Sequence, residues 1–242
     1  MKQASSLAAI WHGRIDAAEG EGDGGLRWHQ IVQALSTSTP PNSLALLGFQ
    51  SDAGVLRNGG RIGAADGPSA IRDVLRNLPA HGLRTLVDAG DVVCVDDELE
   101  AAQNELAEQV SALLNGGHFP IVLGGGHEMA YGSFCGLEKF LAGQIAPRIG
   151  VVNLDAHFDL RLSERGNSGT PFRQIAENCT TRGWPFNYCC LGVSRFSNTQ
   201  SLFDRADALG ATWRLDEDMG VTQLDQSLMT LEKFLEIGRA HV

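Results

Sequence analysis

The chain has 242 residues, of which 43% are apolar and 20% charged, and its formal net charge is −10. This size and composition suit one folded domain, and the acidic balance argues weakly against nucleic acid and anionic membranes as partners. No apolar run approaches the roughly 18 residues of a membrane span. The first eleven residues do not form a secretory leader and the five cysteines lack Cys-x-x-Cys spacing, so we expect a reduced, cytoplasmic protein.

Short apolar runs alternate with segments of helical periodicity along the chain. Strands that are apolar on both faces and alternate with helices predict a mainly parallel sheet covered by helices on both sides, which is a three-layer α/β/α fold. In chain order, the patterns predict a strand at 44–49, a helix at 67–78, a strand at 83–87, a helix at 97–115, a strand at 119–123, a helix that follows three glycines and runs to about 141, strands at 149–154 and 188–193 separated by a loop, a helix at 198–209, a strand at 211–215 and a helix at 224–235.

A polar segment directly follows the apolar run 149–154. Its residues Asp155, His157 and Asp159 occupy alternate positions. In an extended backbone alternate side chains share one face, so we expect these three to converge. Carboxylate and imidazole groups together suit manganese, iron or zinc. The alternative is a polar loop at the strand end with a capping aspartate.

Three glycines at 124–126 precede His127 at the predicted end of another strand. Glycine allows a sharp turn and a close approach of the backbone to a ligand, and open α/β sheets form their sites at this edge. The run lacks the spacing of dinucleotide and P-loop motifs, although a phosphate-binding turn or tight strand-to-helix packing stays open. His127 alone would more often be structural; with the three residues above it becomes the fourth ligand of a metal cluster.

The two motifs together resemble the arginase/agmatinase/formimidoylglutamase (ureohydrolase) family. Its paired signature is GGGHE, here 124–128, followed about 30 residues later by NLDAHFD, here 153–159. The resemblance covers nearly the whole chain and includes GPSAIR at 67–72 and GTPF at 169–172. It implies an arginase-like α/β fold, with residues 1–242 forming a single domain.

This resemblance implies a hydrolase that acts on the C–N bonds of linear amidines. In the family, two manganese ions share a bridging hydroxide. By motif match, His127 and Asp159 would hold one ion, His157 would hold the other, and Asp155 would bridge both. Two cations roughly 3.5–4 Å apart lower the pKa of a shared water and stabilise charge on the reacting centre. No side chain is assigned as a catalytic group.

Within the family, the chain is most similar to the formimidoylglutamase branch, which hydrolyses N-formimidoyl-L-glutamate to L-glutamate and formamide in histidine catabolism. Segments 11–16, 48–52, 57–64 and 196–203 carry this similarity. The implied partner is a small anionic amidine, with no role for nucleic acid or membrane. The full-length protein is expected to form a homo-oligomer.

Three arginines are candidates to contact the substrate carboxylates. Arg161 follows the metal motif, where arginases carry an asparagine that contacts the amino-acid end of their substrate, and a guanidinium there would pair with a carboxylate bidentately. Its alternatives are a surface position or a salt bridge with Glu164. Arg61 and Arg195 are further candidates, each with a structural role as the alternative.

Ser168 stands where arginases and agmatinases have a histidine that is regarded as a proton carrier. A hydroxyl does not exchange protons near neutral pH as an imidazole does. Ser168 therefore argues against arginase or agmatinase chemistry and leaves the proton donor unassigned. Glu128 is a candidate to orient His127, with an acid placed at a helix start as the alternative.

The family has a third metal motif, Ser/Thr-x-Asp-x-Asp, on a strand after the helix at 224–235. It supplies two further aspartate ligands, and no such motif occurs in this sequence. Residues 236–242 resemble translated sequencing adapter, so we expect a truncated chain whose last residues are non-native. Such a chain should bind metal weakly or at one site, have little activity, and expose an apolar sheet edge that promotes aggregation.

Other functions stay open. Another ureohydrolase, such as a guanidino-acid hydrolase, agmatinase or arginase, would differ in its products. A non-catalytic binding protein on the same fold would not need Asp155 or His157. A nucleotide-binding domain built on residues 124–126 lacks both the motif spacing and an acidic ribose partner.

Overall fold

The computed structural model describes residues 9–16, 22–82, 85–145 and 147–236. The chain divides into two units, Met1–Ala142 and Gly143–Val242. Each unit contains its own parallel sheet, so each is described by itself. Among the described residues, no helix combines the length and the apolar character that a membrane crossing requires.

The first unit is built on a four-stranded sheet. Its strands are β1 (Val32–Ala34), β2 (Leu44–Gln50), β3 (Leu86–Val93) and β4 (Phe119–Gly124), and its helices are α1 (Trp28–Ile31), α2 (Ala53–Arg57), α3 (Gly67–Leu75), α4 (Leu99–Asn115) and α5 (Met129–Phe140). Short 3-10 turns lie at Gly22–Gly25 and Ala64–Asp66. The strand order is β1–β3–β2–β4 and every neighbouring pair is parallel. Parallel pairing requires the crossover connections that these helices supply.

Helices cover both faces of this sheet. Alternate residues of β2 point to opposite faces, so each face presents apolar side chains that a helix can bury. On one face Leu47 and Phe49 pack with Leu106 of α4 in a buried apolar cluster. On the other face Leu46 packs in a second cluster with Trp11, and α3 contributes to the same cluster. Full burial of one such side chain contributes about 1.5–3 kcal/mol. The first unit therefore has the predicted three-layer arrangement.

Arg72 of α3 is fully buried and forms the polar centre of the first unit. Its guanidinium donates to the two carboxylate oxygens of Asp88 at 2.8 and 2.9 Å and to Asp91 at 2.6 Å. The indole N–H of Trp11 also donates to Asp88, at 2.8 Å. This network allows β3 to carry two carboxylates inside the fold, since buried charges must be paired.

The second unit is built on a three-stranded sheet. Its elements are β5 (Gly150–Leu154), α6 (Pro171–Arg182), β6 (Asn187–Val193), α7 (Gln200–Ala208), β7 (Thr212–Leu215) and α8 (Leu224–Leu235), with 3-10 turns at Asp216–Asp218 and Val221–Gln223. The strand order is β5–β6–β7 and both pairs are parallel. β5 is an edge strand of this sheet, and its Val152 and Leu154 side chains are 39% and 76% exposed. The predicted aggregation through an apolar edge stays a prediction.

The two faces of β6 are packed differently. Cys189 and Leu191 face α8 and form a small apolar cluster with Phe234. Tyr188, whose side chain points to the opposite face, stacks on Phe172 of α6 with ring centroids 4.7 Å apart. Aromatic contacts of this kind add roughly 0.5–1.5 kcal/mol beyond the area that they bury.

The predicted α/β class and most predicted elements are confirmed, and the helix at 224–235 has the predicted bounds. The predicted strand at 83–87 is displaced: the strand is Leu86–Val93, and residues 83–84 lie outside the described residues. The two paired carboxylates of β3 interrupt its apolar pattern, so the pattern did not predict the full strand.

The predicted loop between 154 and 188 was wrong in part, since it contains α6. Phe172, Ile175, Ala176 and Cys179 are its buried residues at helical spacing, so a sequence signal was present. The patterns also missed β1, α1 and α2, which have only three to five residues each.

Candidate metal centre

The glycine segment at the carboxyl end of β4 lies against the end of β2. The Gly125 N–H donates to the Phe49 carbonyl at 3.0 Å, and the Gly126 N–H donates to the Ser51 carbonyl at 3.2 Å. A Cβ atom added at Gly125 would lie 2.4 Å from the Phe49 carbonyl oxygen. Close packing of two backbones therefore accounts for a glycine at this position.

Glu128 ties the residues after β4 to those after β2. The side chain is fully buried, and its Oε1 accepts from the Ser51 hydroxyl at 2.9 Å and from the Gly54 N–H at 3.0 Å. Burial raises the pKa of this carboxyl. Glu128 makes no side-chain cap bond to α5, so it acts as a buried cross-link. It therefore fixes the backbone next to His127, which is partly buried.

In the second unit, Asp155 lies close to each of the other two predicted ligands that follow β5. Asp155 Oδ1 accepts from the His157 N–H at 2.9 Å and lies 3.2 Å from His157 Nδ1. A carboxylate oxygen of Asp155 and one of Asp159 lie within 4.8 Å of each other. The side chains of Asp155 and His157 are 24% and 51% exposed, respectively. This group of two carboxylates and one imidazole is open to a ligand.

The convergence does not arise from an extended strand, as the sequence interpretation assumed. β5 ends at Leu154, and the next residues bend out of strand geometry. Asp159 has a φ of 48°, in the left-handed region that non-glycine residues rarely adopt. The extended geometry was therefore wrong, although the convergence of the three side chains was predicted. Segment 155–161, which carries them, is named the ligand loop.

Asn198 binds the middle of the ligand loop through two hydrogen bonds and makes a third to Ser194. Its Oδ1 accepts from the Phe158 N–H at 3.1 Å. Its Nδ2 donates to the Ala156 carbonyl at 2.8 Å and to the Ser194 carbonyl at 2.9 Å. Asn198 is 8% exposed, so these bonds are shielded from water. A side chain far along the sequence thus sets the path of the ligand loop.

Two residues of β6 bind the same loop from inside the sheet. The Tyr188 hydroxyl donates to the Phe158 carbonyl at 2.9 Å and accepts from the Asn153 amide at 3.2 Å. The Cys190 thiol donates to the His157 carbonyl at 3.4 Å. Burial raises the pKa of the Cys190 thiol to about 12 and raises the pKa of Tyr188 far above its usual range. Both groups therefore remain protonated donors at neutral pH.

The ligand loop is also bound at its far end. The Arg205 guanidinium donates to the Leu160 carbonyl at 2.6 Å, and the Arg173 guanidinium donates to the Arg161 carbonyl at 2.8 Å. The Arg161 N–H donates to the Gly169 carbonyl at 2.9 Å. Each of these partners lies in the second unit.

The three candidate arginines differ in their surroundings. Arg161 and Arg61 are exposed. Within the described residues, Arg161 forms no ion pair with Glu164, so its salt-bridge alternative is wrong, and its contact with a substrate carboxylate stays a prediction. Arg195 pairs with Glu217 at 3.0 Å, and both side chains are about 60% exposed. Its structural alternative is therefore supported.

Ser168 lies in a tight turn between the ligand loop and α6. The Gly169 N–H donates to Asn167 Oδ1 at 2.9 Å, and the Asn167 N–H donates to the Thr170 hydroxyl at 2.9 Å. Ser168 is partly buried. This turn positions the Gly169 carbonyl, which accepts from the Arg161 N–H. No side chain of the turn is assigned as the proton donor to the leaving amine.

The Arginase family profile matches residues 42–242, which is most of the chain. The chain belongs to the arginase family. Its resemblance to that family, predicted from residues 124–128 and 153–159, is confirmed.

Formimidoylglutamases are prominent among the relatives of this arginase-family chain. It is 55% identical over 229 residues to a formimidoylglutamase from Ralstonia nicotianae, a match that covers 93% of this chain and 70% of the relative. It is 52% identical over 227 residues to one from Chromobacterium violaceum, covering 94% of this chain and 72% of the relative. The predicted similarity to this branch is confirmed.

A solved formiminoglutamase from Trypanosoma cruzi, crystallised with manganese, has a similar fold. The TM-score is 0.68 at 27% sequence identity, and the match covers 81% of this chain and 66% of that structure. The chain thus spans just under two thirds of the length of that structure. The arginase-like fold class is confirmed by this match.

The sequence predicted candidate ligands but not the residues that hold the ligand loop. Asn153, Tyr188, Cys190 and Asn198 anchor this loop. Asn153 and Asn198 had a signal, because Asn153 begins the motif at 153–159 and Asn198 lies in the segment 196–203 that resembles the formimidoylglutamase branch. The others read as parts of buried strands.

Proposed function

We propose that this chain carries the catalytic machinery of a formimidoylglutamase, which hydrolyses N-formimidoyl-L-glutamate to L-glutamate and formamide. The observation that carries the proposal is the approach of Asp155 to both His157 and Asp159 in a chain 55% identical to a formimidoylglutamase. Identity at that level over most of the chain favours the same substrate class.

We propose His127, Asp155, His157 and Asp159 as ligands of two manganese ions. The donor set fits, because carboxylates and imidazoles suit manganese and no thiolate is required. Support comes from the second unit, where a carboxylate oxygen of Asp155 and one of Asp159 lie within 4.8 Å of each other. A relative from Trypanosoma cruzi was also crystallised with manganese.

The cations would supply an activated water for attack on the amidine carbon. The residues of the chain would hold them in place. The Asp155 carboxylate, 3.2 Å from His157 Nδ1, would fix the orientation of that imidazole. The buried Glu128 would keep the backbone at His127 in position through Ser51 and Gly54.

The substrate carboxylates need cationic partners. Arg161 and Arg61 are exposed, and neither forms an ion pair within the described residues. Arg195 is a weaker candidate because Glu217 already neutralises it. We therefore propose Arg161 first, since it follows the ligand loop directly and its guanidinium matches a carboxylate bidentately.

The test is a product assay. The purified chain, loaded with Mn²⁺, is incubated with N-formimidoyl-L-glutamate, L-arginine, agmatine or a guanidino acid. A parallel chimera adds the carboxyl-terminal segment of the Ralstonia relative that lies beyond the matched region. Formamide and glutamate from the first substrate alone would support the proposal. Urea from another substrate would identify a different ureohydrolase, and no product from either protein would contradict the enzyme assignment.

Two variants test the ligands. In the chimera, Asp155→Ala should abolish hydrolysis and lower the manganese content of the dialysed protein. Asp204→Ala is the matched control, because Asp204 is an exposed carboxylate of α7 in the same unit. Full activity of Asp155→Ala would instead favour a non-catalytic role for this residue.

The remaining proposals concern the whole protein. We infer a homo-oligomer and a single cooperative domain over residues 1–242. Light scattering tests the oligomeric state, and calorimetric melting tests whether residues 1–242 unfold as one cooperative domain. Two separate melting transitions would contradict the single domain.

A further inference from the structure

We propose that a cavity in the second unit binds a small organic carboxylate, at a site separate from the ligand loop. The cavity has a volume of about 420 Å³, within the usual range for small-molecule pockets. It is lined by Phe186, Asn187, Tyr188, Gly210, Thr212, Thr230, Lys233 and Phe234.

The cavity lies at the amino end of the strands. Asn187 is the first residue of β6 and Thr212 the first residue of β7. The ligand loop follows the carboxyl end of β5, and β5 is parallel to β6. Since parallel strands place their amino ends on one edge and their carboxyl ends on the other, the cavity and the ligand loop occupy opposite edges of this sheet.

The charge of the lining favours an anion. Among the residues that the structure describes, Lys233 is the one ammonium group of the lining, and no aspartate or glutamate lines the cavity. Glu232 and Glu236 are close to Lys233 in sequence, but neither lines the cavity or pairs with Lys233 within the described residues. The ammonium group is therefore available to a ligand, although the protein as a whole is acidic.

The rest of the lining favours a carboxylate with an apolar body. Phe186, whose ring stacks on Tyr188 with centroids 5.6 Å apart, adds an aromatic side chain to the lining. Thr212 adds a hydroxyl group, which binds a carboxylate by donating to it. The Thr230 hydroxyl already donates to the Gln226 carbonyl at 2.9 Å. One ammonium and one hydroxyl match a monocarboxylate better than a phosphate, which carries more charge and more acceptors.

Benzoate is a suitable probe, and benzamide is its uncharged match. Isothermal titration should give a saturable benzoate site with a Kd on the order of 1 mM. Benzamide should bind at least about tenfold more weakly, since it cannot form the ion pair. Lys233→Met should weaken benzoate binding by a similar factor. Lys139→Met is the matched control, because Lys139 is a lysine of α5 that pairs with Glu108.

Asp155→Ala separates this site from the proposed metal centre, and it should leave the benzoate Kd unchanged. Lys233 is exposed, so Lys233→Met should melt at the same temperature as the parent chain. Equal binding of benzoate and benzamide would overturn the proposal. So would an unchanged Kd in Lys233→Met, or no saturable binding up to about 20 mM benzoate. None of these outcomes depends on whether the chain hydrolyses an amidine.

Discussion

Replacing Asn198 with alanine tests whether the ligand loop depends on one distant side chain. The substitution removes three hydrogen bonds, of 2.8, 2.9 and 3.1 Å. Two of the three backbone groups that lose a bond keep another partner. The Ala156 carbonyl still accepts from the Ser194 N–H, and the Ser194 carbonyl still accepts from the Ser197 N–H. The Phe158 N–H is left with no partner, and Phe158 is fully buried.

These losses set the expected magnitude. A buried donor without a partner costs about 1–3 kcal/mol, and each hydrogen bond lost without orphaning a group costs about 0.5–1.5 kcal/mol. Asn198→Ala should therefore lower the free energy of unfolding by about 2–6 kcal/mol. Asn198→Asp keeps the acceptor for the Phe158 N–H but turns an oxygen toward two carbonyl oxygens, so it should not restore stability.

Urea denaturation of the metal-free chain measures the stability, and hydrogen exchange at the Phe158 amide reads the local effect. Asn115→Ala is the control, because the amide of this exposed residue bonds only within the last turn of α4. It should change stability by less than about 0.5 kcal/mol. An Asn198→Ala protein within that same margin, with unchanged exchange at Phe158, would refute the proposed anchoring. If the ligands bind manganese as proposed, Asn198→Ala should also weaken binding about tenfold or more.

Three further predictions address other parts of the fold. Arg72→Ala should cost about 3–5 kcal/mol in urea denaturation, because it leaves buried carboxylates unpaired; a loss below about 1 kcal/mol would contradict this. Gly125→Ala should destabilise the first unit, since its Cβ would lie 2.4 Å from the Phe49 carbonyl, whereas Gly24→Ala, with nothing within 4 Å, should be neutral; equal melting temperatures would argue against the contact. The pKa of Cys190 rises on folding to about 12, so its contribution to stability is full below the unfolded pKa of about 8.5 and is lost as pH rises toward 12. Cys190→Ala should flatten the fall in unfolding free energy over that window, and an unchanged slope would show that other groups cause it.

The sequence alone determined the fold class and the identity of the candidate ligands. Strand and helix periodicities are local, so the bounds of α8 and the position of β2 followed from short windows of residues. The types of residue at positions 155, 157 and 159 likewise fixed the chemistry of the metal site. Both kinds of inference need only neighbours along the chain.

Tertiary structure decided how those ligands are held. Asp159 has a φ of 48°, which an isolated peptide disfavours and which the surrounding hydrogen bonds must maintain. Those bonds come from residues such as Asn198 and Tyr188, about 30 to 40 positions away. In the same way β3 tolerates Asp88 because Arg72 reaches it from α3. A local pattern cannot predict these features, because the partner that stabilises each one is distant in sequence.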